Sequence, residues 1–338
     1  MSRRKILMKR IISICILPIA LSVAVMAMAN MTDKATSASM DTTRLQAVME
    51  ENINSLLELM NVTAEAGSSD IKTSDKVFTK EAADGLKKMW KTSPMSCSVK
   101  SLNARILNTN HGFQVRGIPV DILEADASEA RQELTIDFDE MGKISGISIA
   151  IEMHRYDELM AQQSSDLDYS RRQIIIEFVE NYRTAYNRKD LAYISQVYSD
   201  DALIIDGRMV KPTGTGAKFE SATLQSNNSV VYFKYNKNEY MKKLKDEFKK
   251  NKFINVKFDE IEVLRHPKFN DVYGVTLKQT WRSDTRSDEG YLFLMVDFHN
   301  TDNPMIQVRT WQPYKNEFGQ VVLKKQDVFH LGSFKIMR

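Results

Sequence analysis

The stretch of sequence that decides the fold runs from residue 170 to residue 207 and reads SRRQIIIEFVENYRTAYNRKDLAYISQVYSDDALIIDG. Ser170 and Gln173 have the spacing of a capping box, and Asp190 is placed to cap a second helix. Residues 202–205 are apolar and typical of a strand. The stretch therefore predicts two helices and then a strand that ends at Gly207. The apolar face of the first helix is Ile175, Phe178, Val179, Tyr182 and Tyr186.

The sequence after this stretch predicts one more helix and then a sheet. Asn236 and Glu239 repeat the capping-box spacing at the start of a helix over 236–250. Because the connections between the following strands are short, we expect an antiparallel sheet with the helices packed on one of its faces. Apolar runs bounded by turn residues predict these strands over 254–264, 272–282, 291–299, 305–311 and 328–337.

This order of elements resembles the nuclear-transport-factor-2-like superfamily, cystatin-like α+β proteins that include the ketosteroid-isomerase-like proteins. The resemblance covers residues 170–338. It implies a cone-shaped domain in which a curved antiparallel sheet closes on its helices, with the ligand site at the open end. Two features depart from the family's pattern: a long insertion over 211–235, whose residues 211–228 we interpret as an excursion or lid, and the absence of a recognisable catalytic pair.

The N-terminal half predicts a second α+β domain over residues 43–160. Two amphipathic helices precede several strands, and a hairpin joins 134–138 to 144–151 across a turn that contains Gly142. We interpret this domain, with helices packed on a curved antiparallel sheet, as a diverged relative of the C-terminal one. Residues 30–42 are predicted to be a flexible lead-in, residues 161–169 a linker, and residues 170–338 the second domain.

The N-terminus has the three parts of a secretory signal peptide. Five Lys and Arg residues precede an apolar run over 11–25, and Ala27-Met28-Ala29 offers a small-residue cleavage site. We therefore predict a signal peptide over 1–29 and an exported protein, which would be periplasmic or extracellular in a bacterium. The alternative is an uncleaved membrane anchor, because the apolar run up to residue 29 is nearly as long as the roughly 20 residues of a spanning helix.

Removing the leader changes what the charge balance means. The chain has 47 Lys and Arg residues against 44 Asp and Glu, but the leader holds five of the bases and none of the acids, so the remainder has a net charge of −2. Within that remainder, residues 30–165 have a net charge of −7 and residues 166–338 of +5. This asymmetry favours two units that attract each other, or two faces with different partners, and we expect no nucleic-acid partner. Only Cys97 remains after the leader, so we expect a buried thiol and no disulfide.

Side-chain alternation selects residues that would face a cavity inside the cone. Gln279 and Trp281 share the inward face of their strand, whereas on the strand over 305–311 either face could be the core. The guanidinium of Arg309, the indole of Trp311 and a neighbouring amide would suit a carboxylate-bearing or sugar-like ligand. The alternative is that Arg309 pairs with Asp297 on the next strand while Trp311 closes the sheet edge. The ligand-binding candidates are Tyr182, Tyr198, Gln279, Trp281, Asp297, Arg309 and Trp311.

Asp206 is the one candidate for a catalytic role. The resemblance implies an acid/base aspartate on the sheet, where burial raises the pKa of a carboxyl toward that of a useful base. The alternative, which turn chemistry favours, is that Asp206 and Gly207 form an ordinary turn at the end of the strand. No second catalytic residue can be matched by motif, so the family's general-base chemistry is not transferred to this chain.

Metal, cofactor and membrane sites have little support in the sequence. The five histidines lack ligand spacing, and Gly214-Thr215-Gly216 lacks the residues of a phosphate-binding loop, so we expect no metal and no cofactor. Lys242 to Lys252 gives one helix a basic face, for which solvation is the commoner meaning. We expect membrane contact only through this helix or the leader.

The preferred function is therefore an exported, non-catalytic binding or envelope-associated accessory protein. Its partner would be a small molecule or an envelope component, and a homodimer through the sheet face is a further possibility. The alternative is an isomerase or hydrolase that acts in the C-terminal cone, with Asp206 as general base and with Tyr182, Tyr198 or Trp281 shaping the pocket.

Overall fold

The computed structural model describes residues 42–99, 102, 104–109, 112–124, 130–161, 169–209, 222–225, 230–316 and 319–334. The predicted signal peptide, the lead-in up to residue 41, residues 162–168 of the linker and the Gly214-Thr215-Gly216 loop lie outside these residues.

The first unit packs two helices on an antiparallel sheet. Its strand order is β1-β3-β4-β5, with β2 also paired to β3. Leu56, Leu86 and Trp90 of the helices are buried in one core with the inner face of the sheet and with Cys97, and burial raises the pKa of that thiol. The elements are α1 (Thr42–Glu65), α2 (Lys80–Thr92), β1 (Met95–Ser96), β2 (Arg105–Thr109), β3 (Gly112–Ile122), β4 (Arg131–Phe138) and β5 (Ile144–Ala150).

The second unit curls a seven-stranded sheet around its helices. The strand order is β7-β8-β6-β12-β11-β10-β9, and every pair is antiparallel except β6 with β12. The predicted cone, and the α+β class with two sheets, are confirmed. The elements are α3 (Met153–Ala161), α4 (Tyr169–Asn187), α5 (Leu191–Gln196), β6 (Tyr198–Met209), β7 (Ala222–Gln225), β8 (Val230–Tyr235), α6 (Lys237–Lys250), β9 (Ile254–Arg265), β10 (Val272–Ser283), β11 (Ser287–Asp297) and β12 (Met305–Pro313).

Helix α4 lies between the two sheets and uses a different face for each. Tyr182 packs in the core of the second unit. On the other face, Glu180 accepts hydrogen bonds from Arg116 of β3, one of them at 3.0 Å, and Arg183 donates to the carbonyl of Ile149 on β5. The charged side chains of this face are buried. Paired polar groups on this face of α4 therefore join the two units, together with apolar contacts such as Leu107 in the second core.

Helix α3 packs with the second unit, although the predicted boundary places it in the first. Its residues Tyr156, Leu159 and Met160 are buried in the same core as Tyr182. Since α3 precedes residues 162–168, the chain enters the second core before the predicted linker rather than after it.

The helix caps agree with the sequence at two of three places. The side chain of Asp190 accepts from the backbone N–H of Tyr193 at 3.2 Å, and Asn236 and Glu239 form the predicted capping box. The cap predicted at Ser170 is wrong, because α4 already includes Tyr169.

Two parts of the sheet differ from the prediction. Residues 230–235, expected to belong to a long insertion, form β8, which pairs with β6 and with β7. Their valine and aromatic residues favour a strand.

The predicted last strand is wrong for the residues that the structure describes, because 328–334 contain a short 3-10 helix, Leu331–Ser333, and no strand. Leu331 packs on the outer face of the sheet with Val272 and Phe293. The apolar residues of the C-terminal segment thus cover a face of the sheet instead of adding a strand at its edge.

Candidate ligand-binding site

A cavity of about 400 Å³ opens between α6 and the strands β6, β10, β11 and β12. Five of the eight residues proposed from the sequence line it: Asp206, Gln279, Trp281, Arg309 and Trp311. They come from three strands that are far apart in sequence, and the curl of the sheet brings them together.

Asp206 lies within β6 and not in a turn. Asp206 is paired on both sides, with β8 and with β12, and the strand continues to Met209 through its pairing with β8. The predicted turn is therefore wrong. Asp206 is only 8% exposed, so its carboxylate needs partners inside the protein.

Asp206 has two cationic partners. Nη1 of Arg309 donates to its Oδ1 at 2.6 Å, and Nζ of Lys243, from α6, donates to its Oδ2. The alternative pairing of Arg309 with Asp297 is therefore wrong. Both oxygens of the carboxylate are held by positive charges, and the three side chains form an ion cluster with one positive charge in excess.

The charges of this cluster decide the protonation of Asp206. Burial raises the pKa of the Asp206 carboxyl, but the positive charges of Arg309 and Lys243 outweigh it and hold that pKa below its ordinary value. Burial lowers the pKa of Lys243, and Asp206 offsets this only in part. The expected rise in the pKa of Asp206 is therefore wrong, and the geometry does not support a general base at this position.

A β-bulge in β12 aims Arg309 and Trp311 at the cavity. Ile306 packs in the inner core and Val308 on the outer face, and the register with both neighbouring strands shifts between them. The extra residue reverses the side-chain alternation, so that Arg309 faces inward. This shift explains why either face of the strand looked equally suited to the core.

Gln279 and Trp281 line the cavity from β10, with the inward orientation that alternation predicts. The structure shows no hydrogen bond for the Gln279 side-chain amide among the described residues. Trp311 does not close the sheet edge, because β12 is an interior strand. Its indole instead lies over Gly290, where an added Cβ would come within 2.9 Å of the ring.

Tyr182 and Tyr198 lie below the cavity in the closed core. Both are almost completely buried, and their hydroxyls are 2.7 Å apart. The row of hydroxyls continues from Tyr182 to Tyr186 at 2.9 Å and from Tyr186 to Tyr240 at 2.8 Å. Tyr186 and Tyr240, rather than the predicted Tyr182 and Tyr198, line the cavity. Tyr186 lies one helical turn after Tyr182 on the same face, which is the signal the sequence offered.

Asp297 does not join the site. It ends β11, whereas the cavity lies near the start of that strand at Asp288. Nine residues separate the two, which corresponds to about 30 Å of extended strand. The Asp297 carboxylate accepts from the backbone N–H of His299 at 2.9 Å.

Five charged residues of the cavity were not among the candidates from the sequence: Arg208, Lys243, Glu247, Arg286 and Asp288. Arg286, in the β10–β11 hairpin, lies 3.4 Å from a carboxylate oxygen of Glu247 on α6 and 3.3 Å from one of Asp288 on β11. Its guanidinium also stands 4.9 Å from the ring centre of Trp281. Asp288 pairs across the hairpin with Trp281, so an inward Trp281 was a usable signal for an inward Asp288.

Asp288 has an unusual protonation. Burial raises the pKa of its carboxyl to about 6, with the negative charges of Asp206 and Glu247 adding to the rise and the positive charges of Arg286 and Arg309 opposing it. Asp288 is therefore the cavity carboxyl whose charge changes closest to neutral pH.

Comparisons with known proteins found matches among solved structures. No family model matches the sequence, and no curated protein matches it. An NTF2-like protein of Cytophaga hutchinsonii matches with 11% identity and a TM-score of 0.29, over 42% of this chain and 97% of its own. ActVI-ORFA of Streptomyces coelicolor matches with 9% identity and a TM-score of 0.28, over 42% and 95%. At these identities and TM-scores the matches do not assign the chain to a family.

A longer match is to Bd1075 of Bdellovibrio bacteriovorus, with 15% identity and a TM-score of 0.33, over 64% of this chain and 83% of that one. Matches at these identities concern the fold alone. They give no activity to this chain, so its function has to be inferred from the cavity itself.

Two kinds of feature are absent from the described residues. Within them, no helix is both long and apolar enough to span a bilayer. The same residues bring together no group of three or more His, Cys, Asp and Glu side chains that would hold a metal ion.

Proposed function

We propose that the second unit binds a small, carboxylate-bearing ligand in its cavity, and that the protein is an exported binding protein rather than an enzyme. The observation that carries this proposal is the ion cluster of Asp206, Arg309 and Lys243. Two cations share one carboxylate there, so a positive charge is in excess in a largely enclosed space. A ligand carboxylate would neutralise it.

Lys243 is the cation best placed to reach the ligand. An ammonium group has three donors, and the structure gives one of them to Asp206. Its side chain is 38% exposed, whereas that of Arg309 is 8% exposed. Arg309 therefore fixes Asp206, and Lys243 keeps donors free for a ligand.

The remaining walls favour a ligand with a flat apolar part. Trp281 and Trp311 border the cavity with their rings, and the amide of Gln279 offers one donor and one acceptor beside them. Indoles and an amide beside a cation would suit an aromatic acid or an acidic sugar.

The same geometry weakens the enzymatic alternative. A general base must have a lone pair free for the substrate proton. Both carboxylate oxygens of Asp206 are engaged by cations, and its pKa is lowered. Asp206 is therefore poorly suited to be the general base of an isomerase or hydrolase.

Fluorescence titration with 3-phenylpropanoate tests the proposal. The chain has three tryptophans, of which Trp281 and Trp311 border the cavity, while Trp90 is buried in the first unit. We expect saturable quenching or a spectral shift, and at least tenfold weaker binding for Lys243→Gln. Lys245→Gln, two positions along α6 and exposed, is the matched control and should bind like the wild type. No binding by the wild type, or equal binding by both variants, would overturn the proposal.

Export, an envelope partner and a homodimer complete the proposal. Mass spectrometry of the protein made with its leader would show a chain that begins at residue 30 if the signal peptide is cleaved, and an intact N-terminus if it is an anchor. The same preparation would reveal a co-purified ligand. Light scattering would test the homodimer, for which part of the outer sheet face is already covered by Leu331.

A further inference from the structure

The charges around the cavity are separated into two groups. The ion cluster of Asp206, Arg309 and Lys243 has an excess positive charge, and Arg208 at the mouth adds a second one. The groups that face them form a second cluster, Glu247, Asp288 and Arg286, in which two carboxyls share one guanidinium. The cavity is thus positive on its β6 and β12 side and acidic on the side of the β10–β11 hairpin.

The acidic cluster is held less firmly than the ion cluster. Arg286 is half exposed, at 51% of its side chain, and its separations from the two carboxyls are 3.3 and 3.4 Å, compared with 2.6 Å between Arg309 and Asp206. Exposed ion pairs of this kind contribute little and are easily exchanged. Glu247 and Asp288 are themselves about three-quarters buried. Glu247 also accepts a hydrogen bond from the Asn251 amide at 3.2 Å. Two carboxyls that share one guanidinium therefore line this side of the cavity.

We propose that the ligand carries an ammonium group as well as a carboxylate, with the ammonium on Asp288 and Glu247 and the carboxylate on Lys243. The inference rests on the proposed function, which supplies the carboxylate subsite. Trp281 lines the same cavity beside the second cluster, since Arg286 stands on its ring and Asp288 faces it across the hairpin. An α-amino acid with an aromatic side chain has all three features that the walls would recognise.

Asp288 determines the specificity in this arrangement. A carboxylate that contacts a ligand ammonium gives a charge-assisted hydrogen bond, which is lost when the ammonium is absent. The preference for a zwitterion over a plain acid should therefore depend on this side chain, whereas binding of the acid itself should not.

Three small molecules with the same carbon skeleton, or nearly so, separate the contribution of the carboxylate to binding from that of the ammonium. L-Phenylalanine has the carboxylate and the ammonium, 3-phenylpropanoate lacks the ammonium, and 2-phenylethylamine lacks the carboxylate. We expect the full-length mature protein to bind phenylalanine at least tenfold more tightly than 3-phenylpropanoate, and the amine most weakly, in fluorescence and calorimetric titrations at pH 7.5.

The variant Asp288→Asn should bring the affinities for phenylalanine and 3-phenylpropanoate within about threefold of each other. Glu262→Gln, an exposed residue on β9, is the control and should keep the wild-type preference. Thermal melting curves show whether Asp288→Asn is folded, and the comparison of two wild-type affinities needs no variant at all.

The outcomes separate the two proposals. If 3-phenylpropanoate binds as tightly as phenylalanine, the ammonium subsite is overturned while the carboxylate site stands. If the preference survives in Asp288→Asn, the assignment to Asp288 is overturned. If none of the three molecules binds, the proposed function falls and this inference falls with it.

Discussion

Asp206 and Arg309 are joined at 2.6 Å although they do not face each other in the sheet. The register of the parallel strands β6 and β12 sets Asp206 beside Trp311 and Arg309 beside Ile204. The ion pair therefore runs diagonally across the two strands, on the cavity side, and Lys243 approaches Asp206 from the helix above. The only parallel pair of the sheet as described is thus also the pair that carries the buried charge.

Removing the Asp206 carboxylate should lower the stability of the fold more than removing a carboxylate at the surface. Asp206→Ala leaves Arg309 and Lys243 facing each other without a counter-charge, so we expect the free energy of unfolding to fall by about 3–5 kcal/mol. Urea denaturation measures this loss, and Glu262→Ala, at an exposed position of β9, is the control. Equal losses in the two variants would show that the cluster does not stabilise the fold.

The stability conferred by Asp288 should depend on pH. A carboxyl whose pKa is raised by folding stabilises the protein below its unfolded pKa of about 4, and this contribution is lost as the pH rises through the folded value of about 6. Asp288→Asn should therefore raise the free energy of unfolding at pH 7.5 by about 1–2 kcal/mol and have little effect at pH 4.

Denaturation curves between pH 4 and pH 8 test this difference, and Asp201→Asn, at an exposed position of β6, serves as control. A constant difference between Asp288→Asn and the wild type across this range would contradict the assignment.

The join between the two units should depend on Glu180. Both Glu180 and Arg116 are 1% exposed, so Glu180→Gln leaves a buried guanidinium without its counter-ion. We expect a loss of about 3–5 kcal/mol. Glu158→Gln, at an exposed position of α3, should leave the unfolding curve unchanged. If both variants unfold alike, the interface does not need this pair.

Gly274 should be intolerant of a side chain because of Leu331. A Cβ at Gly274 would lie 2.5 Å from Cγ of Leu331, so Gly274→Ala should destabilise the protein by about 1–3 kcal/mol through overpacking. In a Leu331→Ala background the same change should cost much less, because the obstructing atoms are gone. A double-mutant cycle by urea denaturation measures the coupling. Additive costs would show that the strain comes from elsewhere.

Local signals in the sequence were sufficient for most of the second unit. The helix caps at Asp190 and Asn236, the periodic apolar face that includes Tyr182, and the alternation that turns Trp281 inward each depend on a few neighbouring residues. The α+β fold with a curled sheet followed from their order. Such signals are strong because one face of each element is buried and the other is not.

What the sequence did not show depends on contacts between distant residues. The orientation of Arg309 depends on a bulge that only the pairing with β6 and β11 reveals. Lys243 looked like one of many lysines on a solvated face, and its partner lies 37 positions away. Asp206 looked like a turn residue because β8, the strand that extends β6 beyond it, was not predicted.

The row of four tyrosine hydroxyls gives the cavity an adaptable contact. Three hydrogen bonds link four hydroxyls, so one proton is left over, and it lies at one end of the row whenever all the hydroxyls donate in the same direction. If every hydroxyl donates away from the cavity, Tyr240 presents only lone pairs to an incoming molecule. If every hydroxyl donates the other way, Tyr240 presents its proton instead. Both directions keep all three hydrogen bonds, so the floor of the cavity can either accept or donate.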